Sequence, residues 1–139
     1  MSDIVKDQIG KIKVPFTRKS TQAFIKQVKD ASSAEEERSI IATESSKIRN
    51  DFGQSQYNNL RENLTKLIFI HLLGYPSYFG QMACLQLISM RSYSDKRIGY
   101  LAMDLFLCDN NDLLLLTVNS VKNDIRNINP YFIHLLHYF

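Results

Sequence analysis

An all-α fold is predicted by three observations in this sequence. Apolar residues recur at spacings of three and four, the mark of helices with one buried stripe. The period-two alternation of half-buried strands is absent. Helix stop and start signals (Gly53, Gly74 with Pro76, Ser94, Pro130) divide the chain into helices of about 11 to 18 residues with turns of about two to five. Connections that short make consecutive helices antiparallel neighbours.

Residues 1–19 carry Gly10 and Pro15 and little periodicity, and read as a flexible basic lead-in. Residues 20–139 hold the helices. The first runs from about Thr21 to Ala31, with Phe24, Ile25 and Val28 on one stripe. The second starts at Ser33, where Ser33 and Glu36 fit a capping box and Glu35, Glu36 and Glu37 suit the positive end of the helix dipole. Its inner face is Ile40, Ile41, Ile48 and Phe52, and Gly53 stops it. The third spans about Tyr57 to Leu73, with Leu60, Leu64, Leu67, Ile68, His71 and Leu72 inward; Gly74 stands as its C′ residue and Pro76 forbids continuation. The fourth covers about Tyr78 to Met90, with Met82, Cys84, Leu85 and Ile88 inward. Ser94 caps the fifth, which carries Ile98, Leu101, Leu105 and Phe106 to about Cys108. Asn110 or Asn111 caps the sixth, with its run Leu113 to Leu116 followed by Val118, Val121 and Ile125. Asn129-Pro130 opens a seventh that reaches Phe139, since proline suits the first helical position.

These lengths and turns describe an α-solenoid of the armadillo/HEAT-like kind, with units of roughly 35 to 45 residues. The last segment is rich in Tyr131, Phe132, Ile133, Leu135, Leu136, Tyr138 and Phe139, so a stack ending there has no polar cap. The expectation is the N-terminal portion of a longer stack, or an end face that binds a partner.

The 139 residues suit one domain, and a chain of this length buries about 68% of its unfolded surface, enough for a core. Cys84 and Cys108 lie in apolar helical runs and read as small buried hydrophobes, which points to a reducing compartment. No apolar run is long enough to span a bilayer and the start lacks the pattern of a secretory signal, so a soluble, cytoplasmic chain is expected. The net charge of +3 is mild, but Lys6, Lys11, Lys13, Arg18, Lys19, Lys26 and Lys29 crowd the first 29 residues against Asp3 and Asp7. The plain reading of such an end is a solvated tail and helix face, and the alternative is an approach to acidic membrane surfaces or nucleic acid; with only Phe16 and Phe24 interleaved it makes no stacking platform, and no nucleic-acid partner is expected.

Catalytic chemistry finds no constellation. His134 and His137 share a helix face without the third and fourth ligands a metal needs. His71 sits in an apolar stripe with no carboxylate or nucleophile placed to work with it. Glu35, Glu36 and Glu37 are adjacent on a helix and diverge by about 100° each. Gly74 and Gly80 are not followed by the lysine and hydroxyl of a phosphate loop. No enzyme, metal or cofactor is expected. Lys96-Arg97 is anomalous, because two cations in a first turn oppose the helix dipole; an acidic side chain from a neighbouring helix is expected there, with charge reversal at Arg97 as its test.

Several blocks carry a resemblance: Ala34-Glu35-Glu36-Glu37-Arg38, Lys47-Ile48-Arg49, Lys66-Leu67 through His71-Leu72-Leu73-Gly74-Tyr75-Pro76, Phe79-Gly80-Gln81, Asp95-Lys96-Arg97-Ile98-Gly99-Tyr100-Leu101 and Lys122-Asn123-Asp124. In order and interval they resemble the large subunits (adaptins) of clathrin adaptor complexes, nearest the gamma type through Pro76 and Gln81. The leucine run and the opening Met1 to Val5 are reminiscent of the epsilon type. The resemblance implies the trunk of a large subunit in a heterotetramer, with a small sigma subunit, a medium and a second large subunit, an Arf-family GTPase and dileucine-type cargo as partners. It implies peripheral placement on trans-Golgi or endosomal membranes and clathrin-coated vesicles. It also implies that Lys29 meets the acidic residue of cargo signals, where the family usually has arginine; lysine keeps the charge without the bidentate fork. The family's headgroup-binding basic cluster at the third helix is reduced here to Arg61 beside an opposing Glu62, and Lys11, Lys13, Arg18 and Lys19 are expected to take its place. Adaptin large subunits continue for several hundred residues beyond this length. The competing expectation is a stand-alone helical-repeat scaffold that binds one protein through its apolar C-terminal face.

Overall fold

The computed structural model describes residues 19–53, 59–106 and 111–126. The expected lead-in up to Arg18, the start of the third helix at Tyr57, Cys108, Asn110 and the seventh helix lie outside them. The described residues form an α-solenoid of six α-helices with no strand among them: α1 (Lys19–Lys29), α2 (Ala34–Gly53), α3 (Leu60–Leu72), α4 (Gln81–Ser89), α5 (Tyr93–Phe106) and α6 (Asn111–Arg126). Helix α3 is the axis, touching α1, α2, α4 and α5; α4 packs most extensively on α5, and α6 lies against α4.

The buried residues of α1 are Thr21, Phe24 and Val28, one stripe at the expected spacing. Phe24 presents its edge to Phe69 of α3 at 5.9 Å. At the start of α2, Ser33 Oγ accepts the Glu36 amide at 3.1 Å, half of the expected capping box. The reciprocal half is displaced by one residue: the Glu36 carboxylate accepts from the Ser32 amide at 2.8 Å and the Ser32 hydroxyl at 2.6 Å. Those two bonds hold the Glu36 carboxyl below its ordinary value.

Helix α3 is buried on several faces, with Leu64, Leu67 and Ile70 fully enclosed. It ends as its sequence demands. Gly74 has φ 87°, its amide bonds the His71 carbonyl at 2.8 Å, and the Tyr75 amide reaches back to Ile70 at 3.2 Å. That is a Schellman cap, and its left-handed residue favours glycine.

Four expectations on α4 and α5 are corrected. The fourth helix does not start at Tyr78; a 3-10 turn over Tyr78–Gly80 precedes α4. Met82 is 58% exposed, because it precedes buried Cys84 by two positions and so lies about 200° around the helix. Helix α5 begins at Tyr93 rather than at a Ser94 cap, with the Ser92 carbonyl accepting from Asp95 and Lys96. Leu101 also faces outward, and Ala102 takes the inner position one turn after Ile98.

Two glycines are explained by contact. A Cβ on Gly80 would run into Leu67 Cδ2, and one on Gly99 would lie 2.9 Å from the Ile88 amide nitrogen. The second is a close approach between α4 and α5 that only glycine permits. On α6 the leucine run does not turn inward as a block. Leu113 and Asp124 are buried and Val121 packs at the core's edge, while Leu114, Leu115, Leu116, Val118 and Ile125 are exposed.

Candidate interaction surface

Lys29 closes α1 and is exposed, with Lys26 also in the last turn, where cations suit the negative end of the dipole. Lys19 opens the same helix, also exposed, about 15 Å away along the axis. Arg61 is half-buried on α3 and donates through Nη1 to Asp95 of α5 at 3.4 Å. Beside it, Glu62 faces Lys66 at 3.7 Å. A cavity of about 300 Å³ joins the starts of α1 and α3, lined by Ser20, Glu44, Lys47, Asp51, Glu62 and Lys66 among others. Neither Lys19 nor Arg61 lines it, and Lys29 lies at the far end of α1. The charges of the cavity compensate one another: Lys66 bonds Glu44 at 2.7 Å and Lys47 lies 3.5 Å from the same carboxylate. Lys11, Lys13 and Arg18 lie outside the described residues.

No group of three metal-ligating side chains occurs among the described residues. His71 Nδ1 lies 2.7 Å from Ser77 Oγ, and its ring stands edge-on to Phe106 at 5.2 Å. This is packing, as its apolar stripe predicts. Burial pushes the Cys84 thiol up to about 12, which keeps it protonated and inert. No helix among the described residues is long and apolar enough to cross a membrane.

The anomalous lysine–arginine pair resolves in favour of one member. Lys96 is buried, and its ammonium donates to both carboxylate oxygens of Asp124 at 2.6 and 2.8 Å and to the Ile88 carbonyl at 2.5 Å. The Tyr100 hydroxyl donates to the same carboxylate at 2.7 Å. Burial first, then the bond to Asp124 and its charge, push the phenol far above its ordinary value. Arg97 is exposed, so the expected acidic partner from another helix exists, but for Lys96. Sequence reasoning missed Tyr100 and the Ile88 carbonyl. The available signal was spacing: Lys96 and Tyr100 are one turn apart, and Asp124 shares the inner face of α6 with Leu113, Thr117 and Ser120.

The blocks that carried the resemblance meet one another, or the core helices beside them, in space. The Tyr75 hydroxyl donates to Glu37 at 3.2 Å, and the Arg49 guanidinium lies over the Phe79 ring at 4.4 Å. Gln81 Nε2 donates to the Phe106 carbonyl at 2.7 Å. Lys96 and Tyr100 meet Asp124, and Gly99 meets Ile88. These blocks build the scaffold, and the exposed basic residues of α1 stand outside it.

The comparisons agree with that scaffold. A family model described as Adaptin N terminal region matches residues 37–135. The AP-1 complex subunit gamma of Dictyostelium discoideum is 46% identical over 110 residues, 79% of this chain and 12% of that relative. The AP-1 complex subunit gamma-2 of Arabidopsis thaliana is 39% identical over 112 residues, 81% of this chain and 13% of the relative. The AP-1 complex subunit gamma-like 2 of Homo sapiens is 40% identical over 110 residues, 78% of this chain and 14% of the relative. The chain thus spans between 12% and 14% of the length of these curated relatives. With most of its length matched by that model and its scaffold contacts built from the same blocks, the chain belongs to the Adaptin N terminal region family.

Proposed function

We propose that this chain serves as the N-terminal trunk segment of an adaptor-complex large subunit of the gamma type, in clathrin-associated vesicular transport at Golgi or endosomal membranes. It works by binding and not by catalysis. The observation that carries the reading is the division of labour in the structure: the blocks shared with the family are spent on contacts between helices, while Lys29 stays exposed at the end of α1. In this reading Lys29 meets the acidic residue of a dileucine-type signal held mainly by a small sigma subunit. Lys11, Lys13, Arg18 and Lys19 supply a peripheral contact with anionic membrane, to which Arg61 contributes. The medium and second large subunits and an Arf-family GTPase complete the partners.

The test is co-expression with the sigma-type small subunit of a gamma adaptor. The two chains are expected to purify as one complex, and that complex is expected to bind an acidic dileucine peptide about tenfold more weakly after Lys29→Ala. A chain that stays monomeric beside the small subunit overturns the assembly reading. A complex whose peptide affinity ignores Lys29 overturns the role of that residue. Liposome binding that survives neutralising Lys11, Lys13, Arg18 and Lys19 together overturns the membrane contact.

A further inference from the structure

At the junction of α1 and α2, two cations stand free beside a carboxylate. A cavity of about 430 Å³ lies between these helices, with Lys26 and Asp30 on the α1 wall and Glu36 on the α2 wall. Lys29 belongs to the same last turn of α1 as Lys26. Both lysines are exposed, and neither has an ion-pair partner among the described residues. An exposed lysine and an exposed glutamate on two walls of one cavity attract each other. A cation paired within its own molecule is withdrawn from any acidic partner, whose apparent affinity falls with the fraction of molecules left open.

Glu36 is engaged elsewhere. Its carboxylate accepts from the Ser32 hydroxyl at 2.6 Å and from the Ser32 amide at 2.8 Å, and its own amide donates to Ser33 Oγ at 3.1 Å. The residue is therefore held at both ends by the turn that joins α1 to α2. The hydroxyl bond first, then the amide bond, keep the Glu36 carboxyl below its ordinary value, and no lysine contributes. We infer that Ser32 is a positioning residue for the cationic end of α1: by holding Glu36 in the first turn of α2 it keeps Lys26 and Lys29 open to an acidic partner. The inference rests on the reading of Lys29 as the contact for the acidic residue of a signal, and adds what keeps that lysine free.

One test needs no cargo. In the full chain the Glu36 carboxyl carbon is titrated by NMR. With Ser32 present, Lys26→Ala and Lys29→Ala together are expected to leave its pKa unmoved. With Ser32→Ala in place, the same two substitutions are expected to raise it, because the freed carboxylate has turned to the lysines. A titration that ignores the lysines in both backgrounds, or responds to them with Ser32 intact, overturns the inference. The second test uses the complex with the small subunit. Ser32→Ala is expected to weaken binding of an acidic dileucine peptide about threefold, and Glu36→Gln added to it is expected to restore the affinity, since glutamine keeps an acceptor and carries no charge. A turn that mattered only for folding would show no such rescue. An affinity that ignores Ser32→Ala while Lys29→Ala lowers it, or a loss that Glu36→Gln does not repair, overturns the inference alone. An affinity that ignores Lys29→Ala overturns the cargo reading, and the titration still decides whether Ser32 holds Glu36 off the lysines.

Discussion

Helices α5 and α6 are consecutive, have 14 and 16 residues, and both carry apolar patterns at helical spacing. Their fates differ. In α5 the residues Ile98, Tyr100, Ala102, Met103 and Phe106 are buried together with Lys96 and Gly99. In α6 only Leu113 and Asp124 are, among the side chains described. The difference lies in the neighbours. Helix α5 is enclosed by α3 and α4 and tied to α6 through Asp124, whereas among the described helices α6 rests on α4 and on that tie. A helical period therefore identifies which face is apolar, but burial depends on how many neighbours the topology supplies.

The largest break in this comparison is expected at Lys96. Lys96→Met leaves the buried Asp124 carboxylate without its cation, which costs about 3–5 kcal/mol and lowers Tm by roughly 10–20 °C in a thermal melt. Lys96→Met combined with Asp124→Leu is expected to recover most of that loss. A single substitution as mild as the double would show that α6 is not held by this pair. Alkali is the next lever. The Cys84 thiol rises from 9.0 to about 12 in the folded chain, so the unfolded thiol ionises first. Stability is then full below pH 9 and falls as the pH climbs toward 12, by about 4 kcal/mol at the end of that window. Tyr100 acts in the same direction above pH 10. Urea midpoints measured across this range should fall, and Cys84→Ala should flatten the decline. Third, Gly99→Ala forces α4 and α5 apart at the Ile88 backbone and is expected to cost about 1–3 kcal/mol, read from denaturant unfolding. The smallest effect is expected on α6. Leu115 is 65% exposed on the outer side of α6, so Leu115→Ser should change stability by less than about 0.5 kcal/mol. A larger loss would mean that α6 is enclosed on that side too.

The sequence made some of this legible for physical reasons. Gly74 and Pro76 announce a helix end because backbone geometry leaves few alternatives, and the cap forms as expected. Phe24 with Val28 and Leu64 with Ile68 identify inner faces because a long stripe has only one consistent phase. Short helices with near-continuous apolar residues leave the phase undetermined. Met82 and Leu101 were expected inward on that account and lie outward. Between Lys96 and Arg97 the dipole argument could not choose, since both share the first turn; the choice is made by Asp124, 28 residues away on another helix. The Glu36 carboxylate found Ser32 rather than Ser33 because the two serines are adjacent and the Ser32 amide and hydroxyl both point to it. In the candidate surface, the exposure of Lys19 and Lys29 follows their polar positions on α1, but the engagement of Arg61 by Asp95 needed the fold to bring α3 beside α5.

One ammonium group touches three helices here: its own, α4 at the Ile88 carbonyl and α6 at Asp124. The consequence is hereditary as much as mechanical. Position 96 cannot drift alone, because any change there strands an acid 28 residues downstream, and a change at Asp124 strands a cation. Tyr100, bonded to the same acid, is drawn into the set. Lysine, tyrosine and aspartate at these separations should therefore be inherited or lost together, and any chain keeping one of them without the others must have rebuilt the seam between its fifth and sixth helices.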